Sequence, residues 1–261
     1  MYWSKVITVI LLLFPSWGLA ENDGSKWIST TPTNGGYLSM TFDDATPSQF
    51  IAAYPMLRAA GLNATLFVGT ELVDAESTNN MSWDQIRVLV DSGWEIGSHT
   101  VTHPDLTTQS DLVVVGELAY ARDRIYEETR VVPRSFASPY GEYDERTLAH
   151  IERYYDLHLR AWGDNQGVNL SGVDPLRIER VNIDESLTAQ EVCTMVVGVD
   201  EGEWLVLMFH QVRELTGLDE RFVSSPLQFE TIVACIQAAV VNNNLSVGTV
   251  SAGYHFNKEG N

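Results

Sequence analysis

Tyr37-Leu38-Ser39-Met40-Thr41-Phe42-Asp43-Asp44 is an apolar run that ends on two adjacent carboxylates. It predicts a strand that delivers acidic groups to the end of a sheet, where an α/β protein puts its chemistry. A second segment, Gly97-Ser98-His99-Thr100-Val101-Thr102-His103, also follows a strand-like run. One Asp with two imidazoles gives three protein ligands, the set of a hydrolytic zinc-type site that leaves positions open for water and substrate. Asp44, His99 and His103 are the candidate ligands, and Asp43, one residue away, is then free to accept a proton. Taken alone, the two carboxylates serve equally well as caps of a helix entered at Thr46 and Pro47. Pro104 disfavours a helix ending at His103, so the two histidines are expected in a loop that folds both imidazoles onto one ion. The metalloprotease motif is excluded, since position 100 is Thr and no Glu lies between the histidines.

On either side of these segments, strand-like runs alternate with segments of helical period. Strands are expected over Tyr37–Phe42, Ala64–Gly69, Trp94–Gly97, Ser135–Ala137, Tyr155–Ala161, Arg177–Ile183, Trp204–Phe209 and Leu245–Val250. Helices are expected over Pro47–Ala60, Ser110–Glu128, Asp144–Arg153, Thr188–Val197 and Pro226–Val240. Ser82 with Gln85 forms a capping box, and Gly61 and Gly93 follow apolar-periodic runs as C-terminal stops. The pattern is α/β, and a parallel barrel and a doubly wound sheet satisfy it equally.

The chain has 261 residues, 44% of them hydrophobic and 20% charged, which fits one large core better than two small ones. Residues 1–20 carry a cation at Lys5, an apolar stretch from Val6 to Phe14 and small residues at Gly18 and Ala20. This reads as a signal peptide of an exported protein, periplasmic or secreted, with an uncleaved anchor as the alternative. After cleavage no stable membrane insertion is expected. A polar leader follows over 21–36, then a single catalytic domain over 37–255, expected as a monomer. The net charge of −19 argues against nucleic acid and anionic polymers as partners, while leaving a neutral or cationic polymer acceptable. Cys193 and Cys235, on adjacent late helices, are either one disulfide or two buried thiols.

His210 ends the run Trp204-Leu-Val-Leu-Met-Phe-His210, another strand terminus. It is either a structural histidine or, on the same face as a metal site, the natural general acid. The segments ThrPheAspAsp, SerHisThrValThrHis, AlaSerProTyrGly (137–141) and LeuMetPheHis together resemble the four corresponding motifs of the polysaccharide deacetylase (NodB-homology) family, carbohydrate esterase family 4, over about residues 37–249. The resemblance implies a distorted (β/α) barrel whose groove holds one divalent metal and removes N-acetyl groups from amino-sugar polymers or oligomers, with a hydrolase of small or cyclic amides and a catalytically silent carbohydrate-binding domain of the same fold as the alternatives. By it, Asp44, His99 and His103 bind the metal, Asp43 is the base, His210 the acid, and Tyr140, in a motif with Pro139, offers its backbone N–H to the oxyanion. Zn2+ suits these ligands first, with Co2+, Ni2+ or Mn2+ also compatible. Leu207 and Met208 either line an acetyl methyl pocket or are strand core, and Trp162, beside Asp164, either walls the groove or is core. Many members start the third motif with an Arg that holds the catalytic Asp; here the place is Ala137, so either another cation orients Asp43 or its pKa differs from theirs. Arg160 and Arg180 are the candidates.

Overall fold

The computed structural model describes residues 35–161, 166–217, 221–242 and 245–259. The signal-like segment, all but the last two leader residues, and Trp162 with Asp164 lie outside these. The strands are β1 Gly36–Phe42, β2 Thr65–Val68, β3 Glu95–Ser98, β4 Ser135–Ala137, β5 Leu157–Arg160, β6 Val168–Leu170, β7 Ile178–Glu179, β8 Val181–Asn182, β9 Glu203–Phe209, β10 Gln211–Val212, β11 Val223–Ser224 and β12 Leu245–Val247. The helices are α1 Tyr54–Ala60, α2 Thr70–Asp74, α3 Trp83–Asp91, α4 Asp111–Thr129, α5 Glu145–Ile151, α6 Ala189–Val197, α7 Pro226–Val241 and α8 Val250–Glu259.

The main sheet runs β6-β9-β1-β2-β3-β4-β5-β7, parallel throughout except for β6 against β9. Its two ends are joined by one segment. β7 pairs with β5 at one edge, and β8, beginning two residues later, pairs with β9 near the other. The result is a nearly closed, distorted barrel rather than a doubly wound sheet. Closure also corrects the expectation of one continuous strand over Arg177–Ile183. The strand breaks at Arg180, the residue that leaves one edge for the other and sends its side chain inward.

Strand alternation divides the core in two. On β1, Leu38, Met40 and Phe42 are fully buried against the helical layer, beside Leu57, Ile86, Phe229 and Ile232. Such side chains each contribute about 1.5–3 kcal/mol. The alternate residues Tyr37, Ser39, Thr41 and Asp43 belong to the barrel lumen, with Phe67, Leu159, Trp204 and Val206. The lumen also holds polar side chains that pair with one another and with the strand backbone. Trp204 Nε1–H donates to Ser39 Oγ at 3.0 Å, and Thr41 Oγ1–H donates to the Leu207 carbonyl at 3.1 Å.

Several boundaries differ from expectation. β1 starts at Gly36, inside the expected leader, because Gly36 already pairs with Leu245; a Cβ there would lie 2.3 Å from Val199 and 2.5 Å from the Asp200 carbonyl. The last strand stops at Val247, and the chain continues as α8, which seals the lower end of the barrel and carries the body past residue 255. There Tyr37 packs on Phe256 at 5.0 Å, and Glu95 accepts from the Ser251 N–H (2.8 Å) and Oγ (2.9 Å). The helix expected over Pro47–Ala60 is a π-helix over Gln49–Ala53 followed by α1. Cys193 on α6 and Cys235 on α7 are free and half-buried. Burial, then the facing Cys235 thiol, pushes the Cys193 thiol up to about 12. Among the described residues no helix is long and apolar enough to cross a membrane.

Candidate active site

The upper ends of β1, β3 and β9 bring the sequence-predicted residues together. Asp43 closes β1 as the next lumen-facing residue, and its N–H donates to the Phe209 carbonyl at 3.1 Å, so the ends of β1 and β9 are tied. The chain then turns through left-handed backbone at Asp44 (φ 73°) and Ala45 (φ 51°), which swings Asp44 across the barrel mouth instead of into a helix cap. The His99-to-His103 segment is a loop with two more left-handed residues, Thr100 (φ 69°) and His103 (φ 59°). Such backbone costs of order 1–3 kcal/mol per residue and concentrates at functional sites.

Through these turns three ligand atoms converge. His99 Nε2 and His103 Nε2 stand 3.1 Å apart, and Asp44 Oδ1 lies 3.7 Å and 3.5 Å from them. Three donors bound at about 2.0–2.2 Å to one ion have mutual spacings of this size. Among the described residues this is the one cluster of its kind. His99 Nδ1–H donates to the Ala137 carbonyl at 2.7 Å, which fixes the tautomer and leaves the Nε2 lone pair free. Burial, then the neighbouring His99 imidazole, pushes the His103 pKa down, so the neutral, ligating form prevails at pH 7. The donor set therefore fits a divalent ion.

Asp43 is almost wholly buried and is held by Arg180, Nη1 to Oδ1 at 2.7 Å and Nη2 to Oδ2 at 2.9 Å. Burial pushes its pKa up, but Arg180, with His99 and His210, outweighs this and holds it at about 2. Of the two cations expected from sequence, Arg180 is thus the one that reaches the carboxylate. Arg160 turns away, its Nη2 pairing with Glu179 and its Nη1 donating to the Tyr143 hydroxyl at 3.1 Å.

His210 lies directly beyond β9, its ring 4.7 Å from that of Phe222. Burial pushes its pKa down, against the pull of the Asp43 and Asp44 carboxylates. Tyr140 is exposed, sits in left-handed backbone (φ 59°) after the buried Pro139, and crosses the His103 ring edge-on at 4.8 Å. Leu207 and Met208 cannot share a pocket. Leu207 packs in the outer, helix-facing core, while Met208 is on the lumen side of β9, because adjacent strand residues face opposite ways.

Sequence reasoning missed three supporting residues. Glu117 on α4 accepts from the Val101 and Thr102 N–H groups (2.7 and 2.9 Å) and the Thr102 hydroxyl (2.7 Å), gripping the loop between the two histidines. A carboxylate in the buried stripe of Val114, Leu118 and Ala121 was its signal. Gln49, on the π-helix, donates from Nε2 to the carbonyls of Asp43 and His210, both at 2.6 Å. His158, fully buried, accepts from the Ser138 hydroxyl at Nε2 (2.8 Å) beneath the third motif. Neither of these two carried a sequence signal.

Residues 30–156 match the polysaccharide deacetylase family. A chitin deacetylase of Amylomyces rouxii is 33% identical over 108 residues, 41% of this chain and 24% of that protein. A peptidoglycan-N-acetylglucosamine deacetylase of Listeria monocytogenes is 24% identical over 116 residues, 44% of this chain and 23% of that protein. The chain thus spans about a quarter of these curated relatives. The structure of a family 4 carbohydrate esterase from Streptomyces lividans in complex with acetate superposes with a TM-score of 0.60 at 19% identity, covering 85% of this chain and 95% of that one. Residues 30–156 thus belong by sequence to the polysaccharide deacetylase family, and the chain's barrel has the fold of a family 4 carbohydrate esterase.

Proposed function

We propose that this chain is a metal-dependent hydrolase that removes N-acetyl groups from an N-acetylglucosamine-containing polysaccharide of the poly-N-acetylglucosamine, chitin or peptidoglycan type. The observation that carries the reading is the convergence of Asp44, His99 and His103 beside an Arg180-held Asp43, with His210 at the end of the adjoining strand. Asp44, His99 and His103 would hold one divalent ion, zinc foremost, which would supply Lewis-acid polarisation of the amide carbonyl and a lowered pKa for water.

The protein's own residues do the rest. Asp43, ionised at neutral pH, accepts a proton from the attacking water, and Arg180 fixes the plane of its carboxylate. The Tyr140 backbone N–H donates to the developing oxyanion, an interaction worth roughly 3–4 kcal/mol for a well-placed donor. His210 protonates the departing sugar nitrogen as the carbon–nitrogen bond breaks, so one water and one amide give acetate and an amine. The acidic surface repels neither an uncharged polymer nor its cationic product. The signal-like residues 1–20 support export, with the chain acting as a monomer on its polymer.

Acetate release from chitin oligomers, poly-β-1,6-N-acetylglucosamine, peptidoglycan and acetylxylan, with and without chelator, tests the reading. Release from an amino-sugar substrate that is abolished by chelator and by Asp43→Asn is the expected result. No release from any of them by protein carrying stoichiometric metal overturns it.

A further inference from the structure

Two exposed aromatic rings flank the site. Tyr140 is 61% exposed and lies against His103, while Phe222 is 38% exposed and lies against His210. His103 follows β3 and His210 follows β9, on opposite sides of β1, which leads into Asp43 and Asp44. Around the rim the order is therefore His210, the two aspartates and His103, with Phe222 against the first histidine and Tyr140 against the last. The backbone holds Phe222 there. It occupies left-handed φ (68°), its carbonyl accepts from the Gln211 N–H at 3.0 Å, and the β10–β11 ladder fixes that register directly after His210. A bulky residue in such backbone, with more than a third of it in water, recovers only part of the burial that would favour this placement.

We propose that Phe222 is a substrate-contacting specificity residue, paired with the ring of Tyr140. The two form stacking platforms for the pyranose rings on either side of the sugar whose acetamide meets Asp44, His99 and His103. Pyranose rings present an apolar C–H face that aromatic rings cover, and the chain's acidity disfavours an anionic saccharide in the groove. The inference rests on the deacetylase reading and adds to it a required length: substrates of three or more sugars engage both platforms, and shorter ones do not.

The test is the dependence of kcat/KM on chain length for N-acetylglucosamine oligomers from one to five units, in wild type, Phe222→Ala and Phe222→Trp. Wild type is expected to gain strongly at three units and beyond. Phe222→Ala is expected to raise KM for the longer oligomers roughly tenfold, the worth of one aromatic contact, and to flatten the length profile, with Phe222→Trp restoring it. Tyr140→Ala, which keeps the backbone N–H, is expected to flatten the profile in the same way. A Phe222→Ala profile parallel to wild type, whether at wild-type rates or slowed by the same factor at every length, overturns the proposal and leaves the deacetylase reading intact. A wild type that releases acetate from no oligomer overturns both.

Discussion

Arg180 and Asp43 are 0% and 3% exposed, so deleting either partner strands a charge in the barrel lumen. Breaking a buried pair in this way costs about 3–5 kcal/mol. Arg180→Met is expected to lose that much stability along with activity. Arg180→Lys keeps the charge but not the two-pronged grip, so it is expected to retain more stability than Arg180→Met while turning over slowly. Denaturant unfolding and acetate release on the same preparations check this, and an Arg180→Met protein as stable as wild type contradicts it. The sequence could name Arg160 and Arg180 as candidates but could not choose, since which strand residue faces the lumen depends on where the barrel closes. The same alternation explains why Leu207 and Met208 read alike in sequence and part company in the fold.

Among the elements, the loop bearing His99 and His103 shows what local sequence can and cannot reveal. Pro104 made a loop legible there, but the group that shapes it, Glu117, lies 15 residues beyond Thr102 on α4. Three hydrogen bonds to one carboxylate hold two peptide N–H groups and a hydroxyl between the ligands, so their loss should loosen the metal site without unfolding the helix. Glu117→Gln, which cannot accept at both positions, is expected to weaken metal affinity by roughly 10- to 100-fold, the usual cost of losing support around a ligand. Competition with a chromophoric chelator measures this directly, and an unchanged affinity would show that the loop holds its own shape. β1 and β9 were legible because their apolar runs are long. The split of Arg177–Ile183 was not, because β7 and β8 answer to different partner strands far away in sequence.

For the molecule as a whole, barrel closure buries an ionisable group that the reaction does not use. His158 on β5 is fully buried, with its Nδ1–H donating to the Leu176 carbonyl at 2.6 Å. Burial first, together with the charges of Arg180, Arg177 and Arg160, outweighs that hydrogen bond and lowers its pKa from 6.5 to about 4. Above pH 6.5 the imidazole is neutral in both the folded and the unfolded chain, and it adds no pH dependence. As pH falls from 6.5 to 4, the unfolded chain binds a proton that the folded chain refuses, so stability drops through this window and levels off below it. At about 1.4 kcal/mol for each pH unit separating the folded and unfolded pKa values, the loss approaches about 3 kcal/mol. Asp43, lowered from 3.8 to about 2 in the folded chain, adds its own decline mainly at lower pH, below that window. Urea unfolding at pH 7.5, 5.5 and 4.5 should therefore show a decline that His158→Gln removes, even though the variant is less stable at pH 7.5. An equal decline in wild type and variant would assign the acid sensitivity to other groups and leave His158 a packing residue alone.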